Sequence, residues 1–193
     1  MNFDSSPGAT PLEPDEAQGL IPKHLTTQGQ LNEHELANIT QGELWAFGRR
    51  HRDILDSAFA RRLHQRMFGA TWRWAGTFRS TEKNIGIDPL RIPQALHDLL
   101  QDVKAQLHHG SYPLDEIAAR FHHRLVAIHP FANGNGRFSR TMADLLLDQN
   151  GATRFTWGQN DLAADEKVRE KYIHALRAAD GKDYSALLAF VRS

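Results

Sequence analysis

Apolar positions recur every three or four residues along most of this chain, which predicts a protein built mainly from α-helices. The clearest pattern begins after Asp53 and ends near Gly69, and its four apolar members are spaced by four: Leu55, Phe59, Leu63 and Met67. A similar pattern predicts a helix from Leu114 to Ile128. Because this spacing places the apolar side chains on one helical face, each helix is expected to bury that face in a shared core.

Five further helices complete the prediction. The first starts at Asn32, which can cap a helix while Glu35 lies three residues further on. Its expected buried positions are Leu36, Ile39, Leu44 and Phe47. The later patterns predict helices at residues 92–107, 136–148, 168–176 and 184–191. We therefore expect a helical bundle.

Two stretches depart from the helical pattern. Residues 71–89, TWRWAGTFRSTEKNIGIDP, combine glycines with Thr, Phe and Ile, which predicts a short hairpin or an extended loop as the one β element. Residues 1–20 hold three of the eight prolines and almost no large apolar side chains, so we expect a loose N-terminal arm. Residues 21–193 are predicted to form a single domain, with its core at about residues 30–190.

Composition restricts the function classes. Lys and Arg total 23 and so do Asp and Glu, giving a formal net charge of zero that predicts no bulk attraction to nucleic acid or anionic lipid. The absence of cysteine excludes disulfides, thiolate zinc sites and cysteine nucleophiles, and it fits a reducing compartment. No apolar run approaches the roughly 20 residues of a membrane helix. These features predict a cytoplasmic protein without a membrane partner.

The candidate chemistry is concentrated in residues 129–140, HPFANGNGRFSR, between two predicted helices. Pro130 disfavours helical geometry at His129, so the imidazole is expected where one helix ends and a tight loop begins. Gly134 and Gly136 permit positive φ and bring backbone N–H groups close to a ligand. Phe131 is expected to be a core anchor without a chemical role. The pattern is typical of an anion-binding loop.

Two arginines sharpen this interpretation. Arg137 and Arg140 lie in the first turns of the next helix, where the helix dipole disfavours cations and no acidic residue offsets them. A phosphate group at that helix start would accept both backbone N–H bonds and guanidinium bonds. The segment therefore predicts a polyphosphate site with a histidine beside it.

Simpler interpretations accompany this one. A single histidine is usually structural, paired arginines on a helix are usually solvated, and loop glycines usually form turns. His122, His123 and His129 lack the i, i+4 spacing of a helical zinc pair. Trp72 and Trp74 suit packing beneath the loop better than base stacking, given the zero net charge.

The segment resembles the signature of the Fic family, in the Fic/Doc superfamily: His, any, Phe, any, Asp or Glu, Gly, Asn, Gly, Arg, any, any, Arg. The sequences PLEPDEAQGLIP and RWAGTFR also resemble the Fic subgroup called mobile mystery protein B. The resemblance implies a Fic-like helical bundle with a small β-hairpin flap. It also implies a nucleotidyltransferase that moves AMP from ATP to a Ser, Thr or Tyr hydroxyl of a target protein.

The resemblance further implies a role for each matching residue. His129 would be the general base, and the phosphates would be held by Gly134, Asn135, Gly136, Arg137 and Arg140. The hairpin flap, at about residues 79–87, would align the target protein by strand pairing. The flap residues that would dock the target are Arg79, Thr81, Lys83, Asn84, Ile85 and Gly86.

One position departs from the family pattern. Asn133 stands where the family has an acidic magnesium ligand, and a neutral amide is a weaker ligand for this hard cation. Magnesium, or else manganese, remains the expected metal beside the donor ATP. The alternatives are transfer of another phosphate-containing group, removal of AMP, or a nucleotide-binding regulator with weakened catalysis.

The resemblance also bears on regulation. Many Fic proteins carry an inhibitory helix with Ser or Thr, three residues, Glu, then Gly or Asn, and its glutamate pairs with the second motif arginine. Glu35, Glu43 and Glu170 do not complete that order. The mobile mystery subgroup instead implies a separate companion or antitoxin of helix-turn-helix character acting in trans.

Overall fold

The computed structural model describes residues 13–48, 53–159 and 165–193. The described parts contain eight α-helices and one 3₁₀ turn. The helices are α1 (Pro14–Ala17), α2 (Gln28–Phe47), α3 (Ser57–Phe68), α4 (Ile92–His109), α5 (Leu114–Ile128), α6 (Asn135–Gln149), α7 (Glu166–Asp180) and α8 (Ser185–Val191), and the 3₁₀ turn is Pro89–Arg91. The prediction of a mainly helical bundle is confirmed.

Helices α5 and α6 form the centre of the bundle. They pack against each other, while α4 and α8 cover α5 and both α2 and α3 contact α6. Phe121 of α5 and Phe138 of α6 are fully buried, as is Phe131 in the loop between the two helices. Since both helices bordering this loop lie in the core, the loop is anchored at both ends.

Helix α2 begins earlier and buries a different face than predicted. Thr27, not Asn32, caps the helix, and the side chain of Gln30 completes a capping box. Leu36 and Leu44 are 64% and 63% exposed, so their assignment to the buried stripe is wrong. The cause is Gly42, where an added Cβ would lie 2.7 Å from the Met67 Cα, so α2 approaches α3 on that face.

The predicted β-hairpin flap is wrong for the described residues, in which the β pairing consists of two isolated bridges. One bridge joins Leu20 to Trp72, and the other joins Phe78 to Phe131. The flap segment, defined as residues 79–87, is instead held by one backbone bond at each end, from the Arg79 and Ile87 N–H groups to the Pro130 and Ile128 carbonyls, and by side-chain bonds of Arg79 and Lys83. Local sequence composition did not reveal that these bonds replace strand pairing.

The loose arm predicted for residues 1–20 lies partly outside the described residues, and its described part is packed against the rest of the chain. Leu20 is buried, the backbone N–H of Arg73 donates to the Gly19 carbonyl, and the indole N–H of Trp74 donates to the Glu16 carbonyl. For residues 13–20 the prediction is corrected, because these long-range bonds offset the poor apolar content of the segment. The division into an arm and one domain otherwise stays a prediction.

The described helices include none with the length and apolar character required to cross a bilayer. The cytoplasmic location stays a prediction from the absence of cysteine.

Candidate active site

His129 lies at the C-terminal end of α5, as the Pro130 argument predicted. Its backbone is left-handed, with φ 53° and ψ 63°, and its N–H donates to the Leu125 carbonyl. Such a conformation is uncommon for residues other than glycine. It turns the chain sharply out of the helix, and the imidazole is held against the protein with only 4% of the residue exposed.

Burial and nearby cations lower the pKa of His129 to about 4. Desolvation is the largest cause, and the positive charge of Arg79 adds to it, followed by a smaller contribution from Lys83. A hydrogen bond with the Val126 backbone acts in the opposite direction. The imidazole is therefore neutral at neutral pH, which is the state that a general base requires.

Arg79 fastens the flap segment to the end of α5. Its Nε donates to the His129 carbonyl at 2.6 Å, and its Nη atoms donate to the carbonyls of Thr81 at 2.8 Å and Ile87 at 2.5 Å. The residue is only 5% exposed, and burial lowers its pKa. Its guanidinium is bonded inside the protein, so Arg79 positions the flap segment, and a contact of Arg79 with a target protein stays a prediction.

Asn135 ties the loop to itself. Its side-chain oxygen accepts the Phe131 N–H at 2.9 Å, and its amide nitrogen donates to the Phe131 carbonyl at 2.8 Å. The residue is 2% exposed. The Asn135 side chain therefore shapes the loop, its backbone N–H lies in the first turn of α6, and the phosphate contact of Asn135 stays a prediction.

The two glycines of the loop have different roles. Gly134 precedes α6 with φ 77°, and an added Cβ would lie 2.5 Å from the Phe68 ring, so glycine is required there by both conformation and space. An added Cβ at Gly136 would have Arg140 Nη1 as its neighbour, at 3.7 Å. The start of α6 therefore has room for a group against the backbone at Gly136.

Asn133 has both of its oxygens engaged. Its backbone carbonyl lies 3.1 Å from Nε2 of His64, and its side-chain oxygen accepts the Gly134 N–H at 2.6 Å. Nowhere in the described ranges do three metal-ligating side chains of His, Cys, Asp or Glu converge. A neutral amide oxygen that already accepts a hydrogen bond does not fit a protein-held magnesium site by itself.

Arg137 forms an ion pair with a distant helix. Its Nη1 lies 2.8 Å from Oε2 of Glu35 on α2, and the other oxygen of Glu35 accepts the Trp72 indole N–H at 2.6 Å. The Glu35 side chain is 12% exposed, whereas that of Arg137 is 35% exposed. The first motif arginine is therefore balanced by an acid from outside the motif, although the inhibitory pattern sought in the sequence is absent.

Arg140 lies beside the opposite wall of the bundle. Its guanidinium carbon is 5.9 Å from the ring centre of Tyr172 on α7, and the Tyr172 hydroxyl lies 2.9 Å from Nε2 of the buried His122. Asp144, one turn beyond Arg140 on α6, accepts hydrogen bonds from Trp157 and Phe155, and burial raises its pKa to about 6. The two motif arginines therefore have different surroundings.

The remaining flap residues are divided between buried and exposed positions. Lys83 pairs with Glu16 of α1 at 2.5 Å, and its side chain is 1% exposed. Thr81 is exposed and lies 3.4 Å from the other oxygen of Glu16. Asn84, Ile85 and Gly86 are exposed. The exposed end of the flap segment lies beside the predicted base, because an added Cβ at Gly86 would be 2.8 Å from the His129 Cβ.

Three residues near the site were not identified as such from the sequence: Glu16, His64 and Tyr172. A signal existed for His64, since it lies between Ala60 and Phe68 at steps of four on a face of α3 that the structure buries. A polar residue on such a face calls for a hydrogen-bond partner. The partners of Glu16 and Tyr172 are far away in the sequence and left no local pattern.

The comparisons with known proteins identify the class. The family model described as Fic/DOC family matches residues 54–147. The protein adenylyltransferase Fic of Drosophila virilis is 31% identical over 144 residues, covering 72% of this chain and 27% of that protein. The chain therefore carries a domain of the Fic/DOC family. It spans about a quarter of the length of the curated relatives it matches.

Solved structures agree on the fold. The BepC effector protein of Bartonella tribocorum, solved with bound AMPPNP, has a TM-score of 0.70 at 16% identity, covering 93% of this chain and 97% of that one. The N-terminal Fic domain of a Bartonella quintana protein also has a TM-score of 0.70, at 19% identity and with 89% and 84% coverage. Fic-1 from C. elegans has a TM-score of 0.66 at 22% identity, covering 92% of this chain and 51% of that one.

Proposed function

We propose that this chain is a Fic-type protein adenylyltransferase, which transfers AMP from ATP to a Ser, Thr or Tyr hydroxyl of a target protein. One observation carries the proposal: the bend between α5 and α6 places a neutral imidazole beside the start of a helix that bears two arginines. The adenylyltransferase name of the Drosophila relatives supports the reaction. The bound AMPPNP and ADP of two Bartonella relatives support a nucleotide ligand.

In the proposed mechanism the triphosphate lies at the start of α6. The backbone N–H groups near Gly136 and the guanidinium groups of Arg137 and Arg140 bind its phosphate oxygens. The target hydroxyl oxygen attacks the α-phosphorus and the bond from that phosphorus to the bridging oxygen breaks, so pyrophosphate leaves. Both arginines stabilise the charge that develops on pyrophosphate.

His129 takes the hydroxyl proton during the attack. The backbone that carries the imidazole is held by Pro130 and by the Arg79 bond to the His129 carbonyl. With a pKa of about 4, the His129 imidazole is a weak base when no nucleotide is bound. Proton transfer to a general base is most effective when the pKa of the base lies near the operating pH. The negative charge of a bound triphosphate would raise that pKa and strengthen the base.

We propose that magnesium, or manganese in its place, arrives with the triphosphate rather than in a protein-built site. It would neutralise phosphate charge there, and the side-chain oxygen of Asn133 is the protein group nearest in kind to the usual carboxylate ligand. Since that oxygen already accepts the Gly134 N–H, we derive no catalytic step through the metal.

A nucleotide-binding regulator is the second candidate, and Asn133 is the observation that favours it. Loss of the acidic residue would weaken metal-assisted transfer while the phosphate-binding helix start remained intact. Transfer of another phosphate-containing group and removal of AMP use the same residues and stay as alternatives. The helix-turn-helix companion and the mobile mystery subgroup stay predictions from the sequence resemblance.

Labelled ATP distinguishes these candidates. The purified protein is incubated with a cell lysate and with ATP labelled at either the α or the γ phosphate, in magnesium or manganese. Relative to lysate without the added protein, we expect extra protein-bound label from the α position only. Extra label from the γ position would indicate phosphorylation, and no extra label from either position would favour the regulator or removal of AMP.

A further inference from the structure

His64 is a fully buried histidine that the proposed chemistry does not use. It lies on α3 with 0% exposure, and its ring stacks on Phe131 with a centroid distance of 3.7 Å. Burial is the main reason that its pKa is lowered to about 3, so the ring is neutral at neutral pH. A neutral imidazole has one donor and one acceptor nitrogen, and both of them are engaged here.

The hydrogen bonds determine which nitrogen carries the proton. The backbone N–H of Gly76 lies 3.0 Å from Nδ1, and an N–H group can only donate. Nδ1 is therefore the acceptor and Nε2 carries the hydrogen, which it donates to the Asn133 carbonyl at 3.1 Å. One tautomer thus connects two segments separated by 57 residues in the sequence.

The bond to Asn133 orients the peptide between Asn133 and Gly134 in the phosphate loop, defined as residues 129–140. In a planar trans peptide the carbonyl and the following N–H point in opposite directions. Holding the Asn133 carbonyl towards α3 therefore turns the Gly134 N–H away from α3. That N–H stands at the start of α6, next to the backbone to which we assign phosphate binding.

The bond to Gly76 fixes the start of the flap. Gly76 has φ 79°, and its carbonyl accepts a bond from Arg61 Nε at 2.9 Å, so α3 holds both sides of this residue. Two residues later Phe78 pairs with Phe131, and Arg79 then begins the flap segment. The imidazole of His64 therefore lies between the phosphate loop and the root of the flap.

We infer that His64 is a positioning residue that sets the phosphate loop through Nε2 and the flap through Nδ1. This inference rests on the proposed function for its kinetic consequences. Its structural content is independent of that function, because the direction of both hydrogen bonds follows from the Gly76 donor.

Two substitutions each remove one of the two hydrogen bonds of the imidazole and keep the other. In His64→Asn the amide group lies near the position of Nδ1, so an oxygen can still accept from Gly76 while the bond to Asn133 is lost. In His64→Gln the amide group lies near the position of Nε2, so an N–H can still donate to Asn133 while the bond to Gly76 is lost. His64→Phe keeps an aromatic ring stacked on Phe131 and removes both bonds.

The matched control is His123→Gln, since His123 bonds to Asp180 and Tyr184 instead.

The variants are compared by ATP calorimetry, by α-label transfer at varied protein-target concentration, and by amide hydrogen exchange at Gly76. We expect His64→Asn to weaken ATP binding about tenfold, as for loss of one buried bond, with Gly76 still protected. We expect His64→Gln to keep ATP affinity, to lose Gly76 protection and to raise the KM for the target at similar kcat. His64→Phe should show both effects, and His123→Gln should show neither.

Equal effects of His64→Asn and His64→Gln on all three measurements would overturn the inference. If His64 were needed only for packing, the two substitutions would have the same effects. Unchanged ATP affinity and Gly76 protection in His64→Phe would also overturn it. Failure of the proposed function has a different signature, since the parent protein would then transfer no label. The Gly76 protection pattern would still decide the positioning role.

Discussion

The phosphate loop and the flap segment are held in place by different kinds of interaction. Loop residues 130–135 are tied by neutral groups: the amide of Asn135, the imidazole of His64 and the buried ring of Phe131. The flap segment has two backbone bonds and is also tied by charged groups, namely Arg79 on backbone carbonyls and Lys83 on Glu16. This difference would suit the proposed reaction, in which the loop keeps its geometry for a nucleotide while another protein docks at the flap.

The contrast also separates local from long-range determinants. The loop is bordered by helices whose patterns, proline and glycines are visible within a few residues. The flap depends on Arg79, which reaches a carbonyl 50 residues away, and on Lys83, which reaches an acid 67 residues away. The two regions are therefore expected to respond differently to substitution, acid and salt.

The largest effect is expected from His129→Ala. Loss of the general base should reduce α-label transfer by about 10²- to 10⁴-fold. Thermal unfolding should show a folded protein, and His129→Asn provides a second variant whose side chain tolerates the left-handed backbone. His123→Gln is the control with retained labelling. Labelling at the parental rate in both His129 variants would remove the base assignment.

Acid should destabilise the protein chiefly through its buried histidines. The folded pKa values of His64, His122 and His129 lie at about 3, 3 and 4, below the usual 6.5, so near pH 5 the unfolded chain binds about three more protons at these residues. Asp144, raised to about 6, binds about one more proton in the folded state at that pH. The net difference of 3 − 1 = 2 protons predicts that the free energy of unfolding falls by about 3 kcal/mol per pH unit around pH 5.

Urea titrations at pH 6, 5 and 4 measure this loss. The contribution is fully present above pH 6.5 and decreases as the pH falls, because the unfolded state gains protons first. The flap contacts of Arg79 do not titrate in this range. A free energy of unfolding that is constant from pH 6 to pH 4 would contradict the assignment of buried neutral histidines.

Arg79→Lys tests the fastening of the flap. A lysine keeps the charge but cannot reach several carbonyls at once with a planar fork, so carbonyls at His129, Thr81 and Ile87 lose partners. We expect a loss of about 2 kcal/mol of unfolding free energy, measured by urea denaturation. Arg73→Lys on the exposed surface is the matched control. A loss in both variants of equal size would show that Arg79 has no special role.

Substituting Asn133 and Asn135 in parallel tests the neutral loop. Asn133→Asp should raise magnesium-dependent labelling about tenfold, because a carboxylate binds this cation more strongly than an amide does. Asn135→Asp should lower labelling, since a carboxylate would face the Phe131 carbonyl in place of an N–H donor. Rates are compared in magnesium and manganese. An unchanged or reduced rate for Asn133→Asp in both metals would count against the magnesium account.

The smallest effect on labelling is expected from Glu16→Gln. The pair with Lys83 is largely covered, so its loss leaves a buried ammonium group without its counter-charge and should cost about 3 kcal/mol, seen as faster amide exchange in residues 81–86. Labelling should change by less than about threefold, as for a single weakened ion pair. Glu13→Gln alters a carboxylate that caps α1 and is the control. Identical flap exchange in the two variants would show that Glu16 does not fasten the flap.

Prediction from the sequence succeeded where the determinants were local. The bounds of α5 agree with the predicted Leu114–Ile128, and His129 ends that helix as Pro130 required. The ion pair between Glu35 of α2 and Arg137 could not be predicted from local sequence, because the two residues are 102 positions apart. Leu36 was wrongly predicted to be buried for the same reason. The face of α2 that is buried depends on the close approach of Gly42 to α3, which local sequence does not reveal.

Calorimetric titration of ATP, with magnesium or manganese, tests the central claim most directly. We predict saturable binding at one site per chain, weakened at least about tenfold in Arg140→Ala by loss of a charged hydrogen bond and nearly unchanged in His129→Ala. Absence of any binding heat in the parent protein, with either metal, would contradict a triphosphate site at the start of α6.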